Sequence, residues 1–252
     1  MWYYLNKDTN HTDIKENNMK KIAIAVTAVL CITMIGCVNT RTKIECQAEK
    51  QAVSVPLGSS DTDYLVLVNR QRRIPENWES RTSLIRTKNS LGDEIAIESR
   101  TYEAYLGLKN ALENEDVFID IESSFRSTEE QQFIVDKFIR KYGRDYAERY
   151  AALPGYSEHH TGLALDLYLY IDGQSVYYTD AHADKWEQIH SKLAEHGFIL
   201  RYQHGKEDIT GYSYEPWHIR YVGKDAAREM TSRSITLEEY LGETDHSGTL
   251  AN

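Results

Sequence analysis

The chain has 252 residues, of which 41% are hydrophobic and 27% charged, enough apolar side chain for one substantial core and too much for a disordered polymer. Its 29 Lys and Arg stand against 39 Asp and Glu, a formal net charge of -10, which excludes the basic surface that nonspecific nucleic-acid binding requires. The three cysteines, Cys31, Cys37 and Cys46, all precede the main body, so that body has neither a disulfide framework nor a cysteine-based zinc site.

Residues 1–37 read as an N-terminal extension with a targeting segment. Met19-Lys20-Lys21 gives a basic head, and the uncharged run Ile22 to Val38 has the apolar character of a bacterial secretory signal. Met19 is a candidate start. The run reaches Met34-Ile35-Gly36-Cys37, which resembles the lipobox of bacterial lipoproteins, whose cysteine is lipidated. The rival readings are an uncleaved membrane anchor, for which 17 uncharged residues fall just short of the ~20 that span a bilayer, and a buried core segment. The first two place the protein outside the cytoplasm, held to the membrane by a lipid or an anchor.

Residues 38–63 are polar and aperiodic, with Pro56, Gly58, Ser59 and Ser60 as breakers, and read as a linker. The folded domain is expected over 64–242, followed by a polar tail, 243–252. Leu65-Val66-Leu67-Val68 and Ile95-Ala96-Ile97 are apolar runs fit for strands. Leu106, Leu108 and Leu112 mark a helix from about Ser99 to Asn114, after which Val117, Ile119 and Ile121 alternate as a half-buried strand does.

Ser127-Thr128-Glu129-Glu130 has the form of a capping box, so a helix should start there. Ile134, Phe138, Tyr142 and Tyr146 recur at every fourth position and give it one inward stripe. Trp186, Ile189 and Leu193 mark another helix beginning near Asp180 and closed by Gly197, with Phe198-Ile199-Leu200 as a strand after it. No internal repeat is visible. The pattern is that of an α+β fold.

The chemistry concentrates in Ser157-Glu158-His159-His160-Thr161-Gly162-Leu163-Ala164-Leu165-Asp166 and Glu215-Pro216-Trp217-His218. Imidazole and carboxylate suit zinc, and a catalytic zinc site takes three protein ligands and leaves one position for water. His159, Asp166 and His218 supply such a set. Glu215, three residues before His218, can stand beside the metal and take a proton from water, as a metallopeptidase requires. Any one of the nine His is more often a hydrogen-bonded structural residue than a ligand. The joint pattern carries the reading.

That pattern resembles the signature Ser-x-His-x-x-Gly-x-Ala-x-Asp with a downstream Glu-x-x-His of the zinc D-alanyl-D-alanine carboxypeptidases and dipeptidases of the VanY and VanX type. Ser123-Ser124-Phe125-Arg126-Ser127 and Gln131 resemble the same family's Ser-x-Tyr-Arg-Ser segment and its following Gln, with Phe125 in place of the commoner Tyr. The resemblance runs from Tyr64 to Leu241. It implies a small, mainly antiparallel sheet with flanking helices, of the hedgehog and D-Ala-D-Ala-peptidase kind, with the metal cleft across its strands.

Carried over by position, the resemblance implies zinc on His159, Asp166 and His218, and Glu215 as general base. Its spacing selects His159 over His160, which is left outside the metal, beside the site or facing solvent. Gly162 is expected to supply a turn or close backbone approach between ligands. Arg126 is expected to grip a carboxylate or developing oxyanion, with Gln131 and Ser157 also contacting the terminal residue of the peptide. The implied activity is removal of the C-terminal D-Ala from peptidoglycan pentapeptide stems, with a contribution to glycopeptide resistance. L,D-carboxypeptidase action, D-Ala-D-Ala dipeptidase action and a non-catalytic, zinc-containing wall-binding lipoprotein are the alternatives.

Overall fold

The computed structural model describes residues 64–242. The expectations for the signal or anchor, the linker and the polar tail lie outside the described residues. Trp78–Arg81 forms a single helical turn, α1. Leu84–Lys88 (β1) and Glu94–Glu98 (β2) then pair as an antiparallel hairpin, Ile85 opposite Ile97. Only β2 announced itself in sequence, because its Ile95, Ala96 and Ile97 are buried whereas β1 alternates partly exposed side chains with exposed ones.

Glu98 caps α2, Ser99–Glu113, by accepting from the amide of Thr101, which satisfies a donor with no partner inside the helix. Tyr105, Leu108 and Leu112 face the core, whereas Leu106 is 46% exposed. β3 covers Ile119–Ser123. Ser127 and Glu130 complete the expected capping box at the start of α3, Thr128–Tyr142. The four-residue stripe does not stay on one helix: Gly143, at φ 90°, separates α3 from α4, Arg144–Tyr150. Phe138 nevertheless packs against Tyr146, with ring centroids 6.3 Å apart.

The remaining elements are β4, Ala164–Ile171; β5, Gln174–Val176; α5, Ala183–Leu193; β6, Phe198–Leu200; α6, Glu207–Thr210; β7, His218–Tyr221; α7, Lys224–Arg233; and α8, Leu237–Tyr240. The helix expected from Asp180 opens as a 3-10 turn before α5 and ends, as expected, at Gly197 in a left-handed conformation. The larger sheet has the order β3-β4-β7-β6, with β5 on β4, and its pairs are antiparallel.

Side-chain alternation divides this sheet into a core face and a site face. Leu165, Leu167 and Leu169 of β4, Ile119 and Ile121 of β3 and Ile219 of β7 pack against α2 and against Trp186, Ile189 and Leu193 of α5. Each such side chain contributes about 1.5–3 kcal/mol on burial. Asp166 on β4 and His218 and Arg220 on β7 occupy the intervening positions and therefore the other face. The expected strand at Leu65 to Val68 is absent. Carbonyls from this stretch are used differently: those of Tyr64 and Val66 accept from the Arg220 guanidinium.

Candidate active site

His159 stands on the 3-10 turn Glu158–Thr161, which is capped by Ser157 and stopped by Gly162 at φ 72°. A side chain at Gly162 would meet the Glu98 amide at 3.2 Å and Leu84 at 3.0 Å, so both the turn and the close approach expected there are present. β4 starts two residues later and carries Asp166. The antiparallel ladder sets Asp166 opposite His218.

These three side chains meet. Each offers one ligand atom, and the three atoms lie within 4.8 Å of one another. His159 Nε2 is 3.1 Å from one Asp166 oxygen, and His218 Nδ1 is 2.9 Å from the other. Tetrahedral ligands about 2.0–2.1 Å from zinc stand roughly 3.3 Å apart; each imidazole is near that separation from one oxygen of Asp166. His159 Nδ1 lies 2.7 Å from the Ser124 carbonyl and must donate to it, which leaves a lone pair on Nε2 facing the carboxylate. Burial, with the Arg126 charge, lowers the pKa of His159, and Asp166 pulls the other way. In the neutral form that metal binding requires, Nε2 and the Asp166 carboxylate turn two donor atoms toward one space that a cation can fill.

The second imidazole is poised differently. Burial opposes charge on His218, but the carboxylates of Asp166 and Glu158 outweigh it and push the pKa up to about 9. Asp166 is held well below the usual carboxylate range: burial would raise it, and the two imidazoles more than offset that.

Glu215 lies beside this set, its Oε2 3.9 Å from His218 Nδ1. Burial, reinforced by Asp166, pushes its carboxyl up to about 7 against the pull of His218 and Arg126. A carboxylate of that pKa suits a general base near neutrality. Its backbone is pinned between β6 and β7: the Glu215 amide donates to the Tyr202 carbonyl and the Glu215 carbonyl accepts from the His218 amide. His190 of α5 donates from Nε2 to the Pro216 carbonyl at 2.8 Å and so braces the same segment from the helical side.

Arg126 completes the cluster. A bulge in β3 between Ile121 and Ser123 turns the strand end opposite Asp166, a common device for re-aiming side chains next to a site. Ser123 Oγ then accepts from Arg126 Nη2 at 2.8 Å, Gln131 Oε1 accepts from Nη1 at 2.7 Å, and Asp166 lies 3.8 Å from Nη2. Gln131 is 2% exposed, and its amide nitrogen donates to the Ala152 carbonyl, so both ends of its side chain hold Arg126 in place. Ser157 Oγ accepts from the His159 amide, and its hydroxyl proton is left to donate.

His160 turns away from the ligand set but not to solvent. It is 4% exposed, accepts from the Gly155 amide at Nε2 and therefore donates from Nδ1 to the Arg126 carbonyl at 2.6 Å. It locks the backbone of the arginine. Glu158 also emerges here: its Oε2 is 3.5 Å from His218 Nε2. Its one sequence signal was a charged residue inside an otherwise apolar and ligand-bearing motif. His190 had none.

Comparison with known proteins places these features in a family. Residues 94–224 match the model of VanY, D-alanyl-D-alanine carboxypeptidase. The chain is 36% identical over 186 residues to a D-alanyl-D-alanine carboxypeptidase of Enterococcus faecalis, covering 70% of this chain and 65% of that one; it thus spans about two thirds of that relative's length. Among solved structures it is similar to a mutant of the vancomycin resistance D,D-pentapeptidase VanY from a VanB-type resistance cassette in complex with Zn(II). That match has TM-score 0.61 and 34% identity, over 71% of this chain and 99% of the other. It is similar as well to the LdcB LD-carboxypeptidase, with TM-score 0.62 and 34% identity over 71% and 86% of the two chains.

Proposed function

Because this chain belongs to the VanY family of D-alanyl-D-alanine carboxypeptidases, we propose that it is a zinc-dependent D,D-carboxypeptidase that removes the terminal D-Ala from peptidoglycan pentapeptide stems. The observation that carries this reading is the convergence of His159, Asp166 and His218 with Glu215 and Arg126 on one face of the sheet. A merely binding module has no use for a half-buried carboxylate standing beside the ligands as a base.

Zinc held by His159, Asp166 and His218 would lower the pKa of a bound water and polarise the scissile carbonyl. Glu215 is placed to accept the proton of the attacking water and to return it to the departing D-alanine amine. Arg126 holds the terminal carboxylate or the developing oxyanion, with Ser123 and Gln131 fixing the direction of its fork. Ser157 has a hydroxyl proton available to the terminal residue. The chain supplies a base rather than a nucleophile, so no acyl-enzyme forms.

We place the domain outside the cytoplasm, tethered to the membrane, on the strength of the basic and apolar run from Met19 to Cys37. There it meets the pentapeptide stems that glycopeptides bind, and trimming them contributes to resistance. L,D-carboxypeptidase action is the second reading, favoured by the likeness to LdcB. Mass spectrometry of products from tripeptide, tetrapeptide and pentapeptide stems and from free D-Ala-D-Ala decides. The account expects pentapeptide to become tetrapeptide; cleavage confined to tetrapeptide or to the free dipeptide would replace it.

A further inference from the structure

Glu158 takes no part in the chemistry above, yet it is 2% exposed and sits between two arginines that are themselves 0% exposed, Arg201 and Arg220. Its Oε1 accepts from Arg201 Nε and from Arg220 Nη1, each at 2.8 Å. Arg201 continues to Glu238 of α8 through two bonds, 2.9 and 2.6 Å, and Glu238 also accepts from Asn69 at 3.3 Å. Arg220 continues to the carbonyls of Tyr64 and Val66, at 2.9 and 2.7 Å.

The group is charge-balanced, two guanidiniums against two carboxylates. Buried ion networks are often no more stabilising than apolar side chains of similar volume, so the geometry around Glu158 is the better guide to its use. With Oε1 taken by the arginines, Oε2 is the oxygen that faces His218 Nε2. A proton on Nε2 donated toward Oε2 leaves Nδ1 as the nitrogen pointing at Asp166, and the tautomer of a histidine ligand is set by such an outer acceptor. Tyr202, 4.8 Å from the His218 ring and 5.1 Å from the Arg201 guanidinium, packs between the network and the ligand.

We infer that Glu158 is the positioning residue of His218, and that through Arg220 and Arg201 it couples the metal centre to both ends of the described domain, Tyr64 to Val66 and Glu238. The inference rests on the zinc reading above. By linkage the coupling runs in both directions: losing Glu158 weakens metal binding, and binding metal steadies the two ends.

The test uses the full chain, with zinc affinity from competition with a chromophoric chelator, the visible spectrum of the cobalt(II) form, and amide hydrogen exchange with and without zinc. Glu158→Gln should lower zinc affinity about 10–100-fold and shift the cobalt spectrum while all three ligands remain. In the native chain zinc should slow exchange at residues 64–68 and 237–241 by at least ~fivefold more than in the hairpin of β1 and β2, and this difference should vanish in the variant. Should Glu158→Gln fail to fold with one guanidinium left in excess, the charge-balanced double variant Glu158→Gln with Arg220→Gln makes the same test. Native affinity and an unchanged cobalt spectrum in the folded variants would overturn the inference. Failure of the native chain to bind zinc would instead overturn the proposed function, so the two failures are distinct.

Discussion

Asp166 and His218 are direct partners in the antiparallel ladder between β4 and β7, and their side chains meet at 2.9 Å on the face of the sheet away from the core. Two ligands that lie 52 residues apart in sequence are thereby fixed by backbone hydrogen bonds rather than by loop packing. Such a pair is held rigidly before any metal arrives.

That pairing makes metal binding a proton exchange. With His218 raised to about 9 from an ordinary 6.5, its proton contributes stability to the metal-free chain that is fully present below about 6.5 and is lost as pH rises through 9. Zinc must displace the proton. Between pH 6.5 and 9 the apparent zinc affinity should therefore rise about tenfold per pH unit, with about one proton released per zinc. Calorimetry in buffers of different ionisation enthalpy checks this, and pH-independent binding would contradict it.

Glu215→Gln keeps the size and shape of the base and removes its ability to accept a proton. Turnover should fall at least ~100-fold with zinc retained. Because burial lifts Glu215 to about 7 and a bound dication would lower it, the native acid limb of kcat/KM should fall at or below pH 7. The residual activity of the variant should lack that limb. Loss of zinc in this variant would make Glu215 a ligand instead.

His159 and His160 are adjacent in sequence and opposite in duty. His159→Ala leaves two ligands and should abolish tight zinc binding. His160→Ala leaves the ligand set whole but strands the Gly155 amide and the Arg126 carbonyl, at about 1–3 kcal/mol for each buried group. It should melt earlier, keep zinc, and lose turnover through a loosened Arg126. Zinc titration and a thermal melt of both variants suffice, and a zinc-free His160→Ala protein would reverse the assignment.

How much of this was legible in the sequence follows from the range of each interaction. The capping box at Ser127 and Glu130, the α2 helix and the Gly197 stop are local, and all three formed as read. β4 and β7, which bear Asp166 and His218, were not read as strands. Leu165 to Leu169 alternates with Asp166 and Tyr168, a pattern hidden beneath the metal-binding motif, and β7 is only four residues long. The apolar stretch Leu65 to Val68 looked like a strand because nothing local shows that Arg220, 154 residues on, takes the Val66 carbonyl. Glu158 and His190 were missed for the same reason.

The grip on the substrate's carboxylate is testable on the substrate itself. The Arg126 fork is aimed by Ser123 and Gln131, and a bidentate ion pair in a sheltered cleft loses its partner when the carboxylate becomes an amide. A C-terminally amidated pentapeptide should lose at least ~1.5 kcal/mol of transition-state binding, about tenfold in kcat/KM. Gln131→Ala should produce part of that loss on the free acid. Equal cleavage of acid and amide would remove Arg126 from this role.

The most direct test of the central claim is release of free D-alanine from a pentapeptide ending in D-Ala-D-Ala, followed before chelation, after chelation and after stoichiometric zinc is returned. The account predicts release, its abolition, and its restoration by one zinc per chain. Full turnover in a metal-free preparation would contradict it.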